Sequence, residues 1–283
     1  MGTLNAESWT DFWDSGSITT FSSFTNNYDG EIAEFWRQQL RDTKGHVLDL
    51  CCGNGALVWL VDDLVKTHHL DIQITGVDLA DIDPFKLLKR SPKDFPAVNF
   101  IGNTSIETLP FKDKSISAVI SQYGIEYSDT GKTLKEVGRV LSDNGKIAFI
   151  VHIDKSVVVQ DSRFRLDKFI ALTEGGEFEQ TLFLLDDLFN QYHRFQQVRS
   201  DPQFVRLTGT LNRLAYHATH LHEDKGPVYE KNCLTFQNYV TRILKLFDES
   251  LPVRDRKRRG KIEQLVKIFP GMMSRMEDII SAA

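Results

Sequence analysis

Cysteine is scarce in this sequence: Cys51, Cys52 and Cys233 are the three that occur in 283 residues. That is too few for a disulfide framework, so all three read as reduced thiols. The adjacent pair lacks metal-ligand spacing and closes an apolar strand, which makes both side chains small packing residues. Positive charge is not in excess either. A formal net charge of −5 provides no general attraction to nucleic acid or to an anionic membrane. No apolar run approaches the roughly 20 residues that span a bilayer. The N-terminus, MGTLNAESWTDFWDSGS, lacks the basic region and apolar stretch of a secretory signal. These absences point to a cytoplasmic protein with no membrane span, and nucleic acid is an improbable partner. Internal repeats and low-complexity tracts are missing as well.

What is present suffices for a sizeable core, with 41% hydrophobic and 26% charged residues. Between 46 and 153 short apolar runs alternate with helical patterns. HVLDL, DIQITGVDL, AVNFIGN, SISAVISQYG and KIAFIVHI read as strands. ALVWLVDDLVKTHH, DIDPFKLLKRSPK and TGKTLKEVGRVLSDNG read as helices. Strict alternation implies parallel strands joined by crossover helices, so the fold class is α/β with a doubly wound, mostly parallel sheet. Ligands in such sheets sit beyond the carboxyl ends of the strands. Asp143-Asn144-Gly145 is expected to cap the helix before the last strand and turn the chain into it.

The flanks differ from this core. Residues 1–45 hold Trp9, Phe12, Trp13, Phe21, Phe24, Tyr28, Phe35 and Trp36 and include the amphipathic stretch GEIAEFWRQQLRD, which suits an aromatic helical cap or lid. Residues 154–283 carry helical spacing almost throughout. Their apolar faces fit a lid over an apolar pocket or the interface of a homodimer equally well. The expected division is therefore a cap over 1–45, a ligand-binding core over 46–153 and a mostly helical region over 154–283.

The stretch HVLDLCCGNGALVWL joins a strand to a helix through a glycine turn. Gly53 and Gly55 allow the tight turn and the close approach of a ligand, and the following helix N-terminus favours polar groups. A dinucleotide fingerprint wants a third glycine where Val58 stands. Asp49, just before the turn, would repel a pyrophosphate and attract an ammonium or sulfonium. The second strand ends in GVDLA, which places Asp78 and Leu79 at its carboxyl end, where a carboxylate accepts the hydroxyls of a ribose. A carboxylate at each of two strand ends fits S-adenosylmethionine better than NAD.

VLDLCCGNGAL, GVDLA, IETLPFKDKSISAVISQYGIEY and LKEVGRVLSDNGKIAFIV occur in the order and spacing of class I S-adenosylmethionine-dependent methyltransferases, which residues 45–153 resemble. The resemblance implies a seven-stranded Rossmann-like sheet with the cofactor at its strand ends. It implies that Asp49, Gly53 and Gly55 lie along the methionine part, and that Asp78 binds the ribose. It places Asn103, Thr104, Ser105 and Ile106 where the family binds adenine. The family's usual aspartate is missing there, and Asn103 or Ser105 takes over its hydrogen bond. Gln122 and Tyr123 fall where the family lines the methyl-transfer face. Two departures stand out. Cys51 replaces the motif's first glycine, and no final β-hairpin is evident after Ile153 unless it hides in QQVRSDPQFVRLTGT.

Tyr123, Glu126 and Tyr127 follow a strand at its ligand-facing end, where they either touch substrate or form an aromatic patch with a capping acid. His152, past the last strand, is a candidate base for a hydroxyl or a hydrogen-bonded structural residue. His217 and His220 stand one helical turn apart without a third ligand at recognisable spacing, so no metal site is expected. The basic run RDRKRRGK, 254–261, reads as solvated surface. The expected activity is methyl transfer to an oxygen, less readily a nitrogen, of a small or medium-sized organic acceptor, hydrophobic ones included. The alternatives are a tRNA or protein methyltransferase, which the basic run alone supports, and a non-catalytic cofactor-binding or regulatory protein of the same fold.

Overall fold

The computed structural model describes residues 6–20, 26–221, 240–247, 255 and 257–283. Cys233, Phe21, Phe24, Arg254 and Arg256, and the helical expectations over 222–224, 235–239 and 248–251, lie outside the described residues. The chain divides into two compact units, Met1–Ile153 with Ser281–Ala283, and Asp154–Ile280.

In the first unit, helices α1 (Ala6–Asp14) and α2 (Gly30–Leu40) precede strand β1 (Gly45–Leu50), helix α3 (Ala56–His68), β2 (Ile72–Val77), the short helix α4 (Pro84–Leu87), β3 (Val98–Ile101), β4 (Ile116–Gln122), α5 (Thr130–Val140) and β5 (Leu141–Ile150). The five strands are all parallel in the order β3-β2-β1-β4-β5. The order reverses between β1 and β4, and that reversal opens the crevice in which doubly wound sheets take ligands.

Side-chain alternation explains how both faces of the sheet are covered. Val47, Ile74, Ala118 and Ile120 point into one apolar layer with Trp36, Leu40 and α3. Leu48, Leu50, Val77, Ile116 and Val119 point into the other with Val137 and Val140 of α5. Helix α3 is buried along Ala56–Val61, which is why its sequence is apolar all round rather than striped. Fully burying each such aliphatic side chain contributes about 1.5–3 kcal/mol.

Two expectations change here. Helix α5 ends at Val140, and Asp143-Asn144-Gly145 forms no cap for it: Leu141 already pairs with Ile116, and the ladder resumes only at Ala118 with Lys146. The turn residues form an irregularity inside β5, because Leu141 pairs with Ile116 directly after the helix ends. The sheet has five strands rather than the seven that the family resemblance implies, and among the described residues no strand follows β5. The stretch that could have hidden a hairpin is helical. Asp201 accepts from the Gln203 N–H at 2.7 Å and Pro202 occupies the first turn, which together start a helix.

The second unit is helical: α6 (Val157–Thr173), α7 (Glu177–Gln191), α8 (Phe195–Arg199), α9 (Pro202–Thr219) and α10 (Arg258–Ala282). Phe169, Leu172, Phe178, Leu182, Leu185, Phe189, Leu211, Ile262 and Phe269 form its core. The basic run corrects another expectation. Arg258 is buried against Asp186, 3.5 Å away, and its guanidinium donates to the Leu246 carbonyl; Arg259 pairs with Asp187 at 2.9 Å. Arg258 is therefore structural, whereas Lys257, Arg259 and Lys261 are exposed as expected. Lys168 is buried too, with its ammonium donating to the carbonyls of Ala218, Thr219 and Leu221, where it closes the end of α9. No helix among the described residues is long and apolar enough to cross a membrane.

Candidate functional site

The glycine turn leaves β1 through left-handed backbone at Cys51 (φ 56°), Gly53 (φ 51°) and Gly55 (φ 84°). A cysteine at φ 56° is strained, and the space it needs comes from elsewhere: a Cβ on Gly124 would meet the Cys51 Cβ. The glycine missing from position 51 is thus offset by one after β4. Ser121 Oγ donates to the Leu50 carbonyl at 2.9 Å and holds β4 to the end of β1. Burial pushes the thiols of Cys51 and Cys52 well up, so both are neutral.

Asp49 and Asp78 lie at the ends of adjacent strands and are buried, 2% and 7% exposed. Their hydrogen bonding differs. Asp78 Oδ2 accepts from the Gly53 N–H at 2.7 Å and Oδ1 from the Ala80 N–H at 2.9 Å, with the Leu79 N–H also directed at the carboxylate. Burial raises its pKa and these donors oppose the rise. For Asp49, burial first and the Asp78 charge second push the pKa well up, with no hydrogen bond or cation to counter them. An uncompensated buried carboxylate at a ligand-facing strand end is completed by a cation. A sulfonium or ammonium group supplies one, and Asp78 keeps lone pairs for ribose hydroxyls, so the donor set fits S-adenosylmethionine.

The loop that carries the adenine candidates is largely committed to itself. Asn103, at φ 51°, donates from Nδ2 to Asp81 Oδ1 at 2.9 Å. Thr104 Oγ1 donates to the Gly102 carbonyl, Ser105 Oγ accepts from the Glu107 N–H, and the Ile106 side chain is in the core.

Beyond β4, Gln122 is buried, with Oε1 accepting from the Trp36 indole N–H at 2.5 Å and its amide directed at the Tyr28 phenol. The phenol of Tyr28 lies beside it and is pushed up by burial, then by Tyr123 and Asp49. Tyr123, at φ 56°, stacks its ring on His152 with centroids 4.3 Å apart. Glu126 Oε1 accepts the His152 main-chain N–H at 2.9 Å, whereas its buried Oε2 has no hydrogen-bond partner. Burial raises the Glu126 pKa and lowers that of His152 to about 4. The imidazole is therefore neutral near pH 7, and its affinity for a proton is low.

The structure thus gathers Asp49, Gly53, Gly55, Asp78 and Leu79 at one turn, and Gln122, Tyr123, Glu126 and His152 at the next strand end. Sequence reasoning missed Asn54, whose Nδ2 donates to the carbonyls of Trp13 and Ser17, both at 2.8 Å, and Trp36, the anchor of Gln122. The aromatic richness of residues 1–45 was the available signal for Trp13, Tyr28 and Trp36. Among the described residues no group of three or more His, Cys, Asp or Glu is placed to hold a metal; His220 stacks on Tyr216 instead.

With fold and site described, their class follows. Residues 47–145 match the family described as "Methyltransferase domain", and the chain carries a class I methyltransferase domain. Among individual proteins it is similar to the chloroplastic 2-phytyl-1,4-beta-naphthoquinone methyltransferase of Arabidopsis thaliana, 26% identical over 110 residues, which are 37% of this chain and 41% of that protein. The match thus spans about two fifths of the relative's length. Two solved structures also align. One is geranyl diphosphate C-methyltransferase from Streptomyces coelicolor A3(2), with TM-score 0.38 and 15% identity over 52% of this chain and 64% of that one. The other is an S-adenosylmethionine dependent methyltransferase from Mesorhizobium loti, with TM-score 0.34 and 21% identity over 43% and 52%.

Proposed function

We propose that this protein transfers the methyl group of S-adenosylmethionine to an oxygen of a small organic acceptor. One observation carries the reading: Asp49 is buried at the carboxyl end of β1 beside Asp78 with nothing to balance its charge. S-adenosylmethionine bound there supplies an electrophilic methyl group on a cationic sulfur. Asp49 holds the cationic end, Asp78 the ribose, and Leu79 and the Asn103–Ile106 loop flank the nucleoside.

On the acceptor side, the stacked Tyr123 and His152 form a wall that orients the acceptor, and Glu126 Oε2 takes its proton. Glu126 suits that task better than His152, because burial moves the carboxyl toward neutral pH and the imidazole away from it. Most of the acceleration then comes from holding the acceptor in line with the methyl group. A small acceptor is favoured over RNA, since Arg258 of the basic run is buried against Asp186, and the Arabidopsis relative is named for a quinone.

Titration calorimetry with S-adenosylmethionine, S-adenosylhomocysteine and NAD tests the reading. The expected result is binding of both sulfur ligands by the wild type, loss of binding in Asp78→Ala, and no heat with NAD. Absence of binding by either sulfur ligand would refute it.

A further inference from the structure

Helix α1 reaches the loops that follow three of the strands. At the glycine turn the Trp13 indole fills the space over Gly53, where any Cβ would collide with the ring. Asn54, 1% exposed, spends both N–H groups of its amide on the carbonyls of Trp13 and Ser17. After β2, the Asp81 N–H donates to Thr10 Oγ1 at 3.0 Å. After β4, Tyr127 meets Trp9 edge-on at 5.5 Å. All three loops belong to the carboxyl edge of the sheet, where doubly wound folds take their ligands. Close approach to Gly53 is therefore reserved by an indole belonging to the chain itself.

From these contacts we infer that α1 is a strap across the cofactor site, latched by Asn54, which lifts each time cofactor enters or product leaves. The inference rests on the S-adenosylmethionine reading and adds a regulated exchange step to it. The means of fastening suit reversible release: these contacts are neutral hydrogen bonds and ring contacts, and Asn54 donates to the Trp13 carbonyl, which also accepts from the Gly16 N–H, and to the Ser17 carbonyl just past α1. Asn54 then acts on exchange without touching the cofactor.

If a strap must open, the apparent association and dissociation rates both scale with its open fraction. Stopped-flow tryptophan fluorescence with S-adenosylhomocysteine measures both on the full chain. In Asn54→Ala the two rate constants are expected to rise together, by about threefold or more, with the dissociation constant nearly unchanged. Thr10→Val, about one turn back along the helix from Trp13, leaves Asn54 in place and is expected to move both rates in the same direction, which guards against a folding defect in the buried variant. Faster dissociation with unchanged association would make α1 a wall of the site and overturn the strap, as would unchanged rates in both variants. A wild-type chain that binds no S-adenosylhomocysteine refutes the cofactor reading itself; one that binds while both variants behave like it refutes only the strap.

Discussion

The Gly53 N–H donates to Asp78 Oδ2 at 2.7 Å, so the glycine turn and the end of β2 are one hydrogen-bonded unit. The carboxylate shapes the turn before any ligand arrives. Asp78→Asn keeps an acceptor for one of the Gly53 and Ala80 N–H groups and turns an amide N–H toward the other, leaving a buried donor unpaired. A loss of about 1–3 kcal/mol is expected on thermal or urea unfolding. Binding of S-adenosylhomocysteine should fall at least about tenfold, a loss of about 1.4 kcal/mol. Wild-type affinity in this variant would show that the ribose lies elsewhere.

Asp49 sets a pH dependence of definite sign. Its folded pKa lies well above the ordinary 3.8, so the folded chain keeps a proton that the unfolded chain releases. That stability is full below the ordinary carboxylate value and is lost as pH rises through the raised one. Asp49→Asn should therefore raise the melting temperature of the ligand-free protein at pH 7, by about 2–4 °C per kcal/mol recovered, and raise it less at pH 4. The same variant should weaken the cationic S-adenosylmethionine more than the uncharged sulfur of S-adenosylhomocysteine. Equal weakening of the two would remove Asp49 from the charged end of the site.

His152 has the opposite sign. With its pKa lowered to about 4, the folded chain binds fewer protons there than the unfolded one, so its contribution is present above the unfolded value near ~6.5 and lost as pH falls toward 4. An NMR titration should show this imidazole neutral from pH 8 down to about 5, with His152→Phe removing that part of the acid sensitivity. A midpoint above 6 would restore histidine as the candidate base.

In the helical unit, Asp186→Ala strands the Arg258 guanidinium between Phe189 and Phe247. The expected cost is about 3–5 kcal/mol in urea unfolding, and Asp186→Leu combined with Arg258→Met should recover most of it. A single variant that unfolds like the wild type would place this pair in water.

The alternating core was readable because its information is local: Val47 and Leu48 point to opposite faces whatever lies beyond them, and the Gly53–Gly55 turn follows within a few residues. Asp49 and Asp78 were readable for the same reason, each being fixed by its own strand end. Arg258 was not, since its charge is answered 72 positions away by Asp186, and a run of basic residues looks alike whether its partners are water or carboxylates. Nor do Trp9, Phe12 and Trp13 reveal from spacing which loops they meet. The Asp143-Asn144-Gly145 turn has the composition of a helix stop, yet the pairing of Leu141 with Ile116 decided the boundary earlier. Tertiary contact outweighed turn chemistry there.

The lone carboxylate of Asp49 also bears on how long the protein survives. A chain that must hold a proton on this buried carboxyl while empty, and exchanges it for a docked cation, is stabilised by that ligand. Under scarcity more molecules visit open forms that proteases cut, and under plenty fewer do. If that cation is S-adenosylmethionine, as proposed, cellular abundance is expected to follow the availability of the methyl donor without any dedicated sensor.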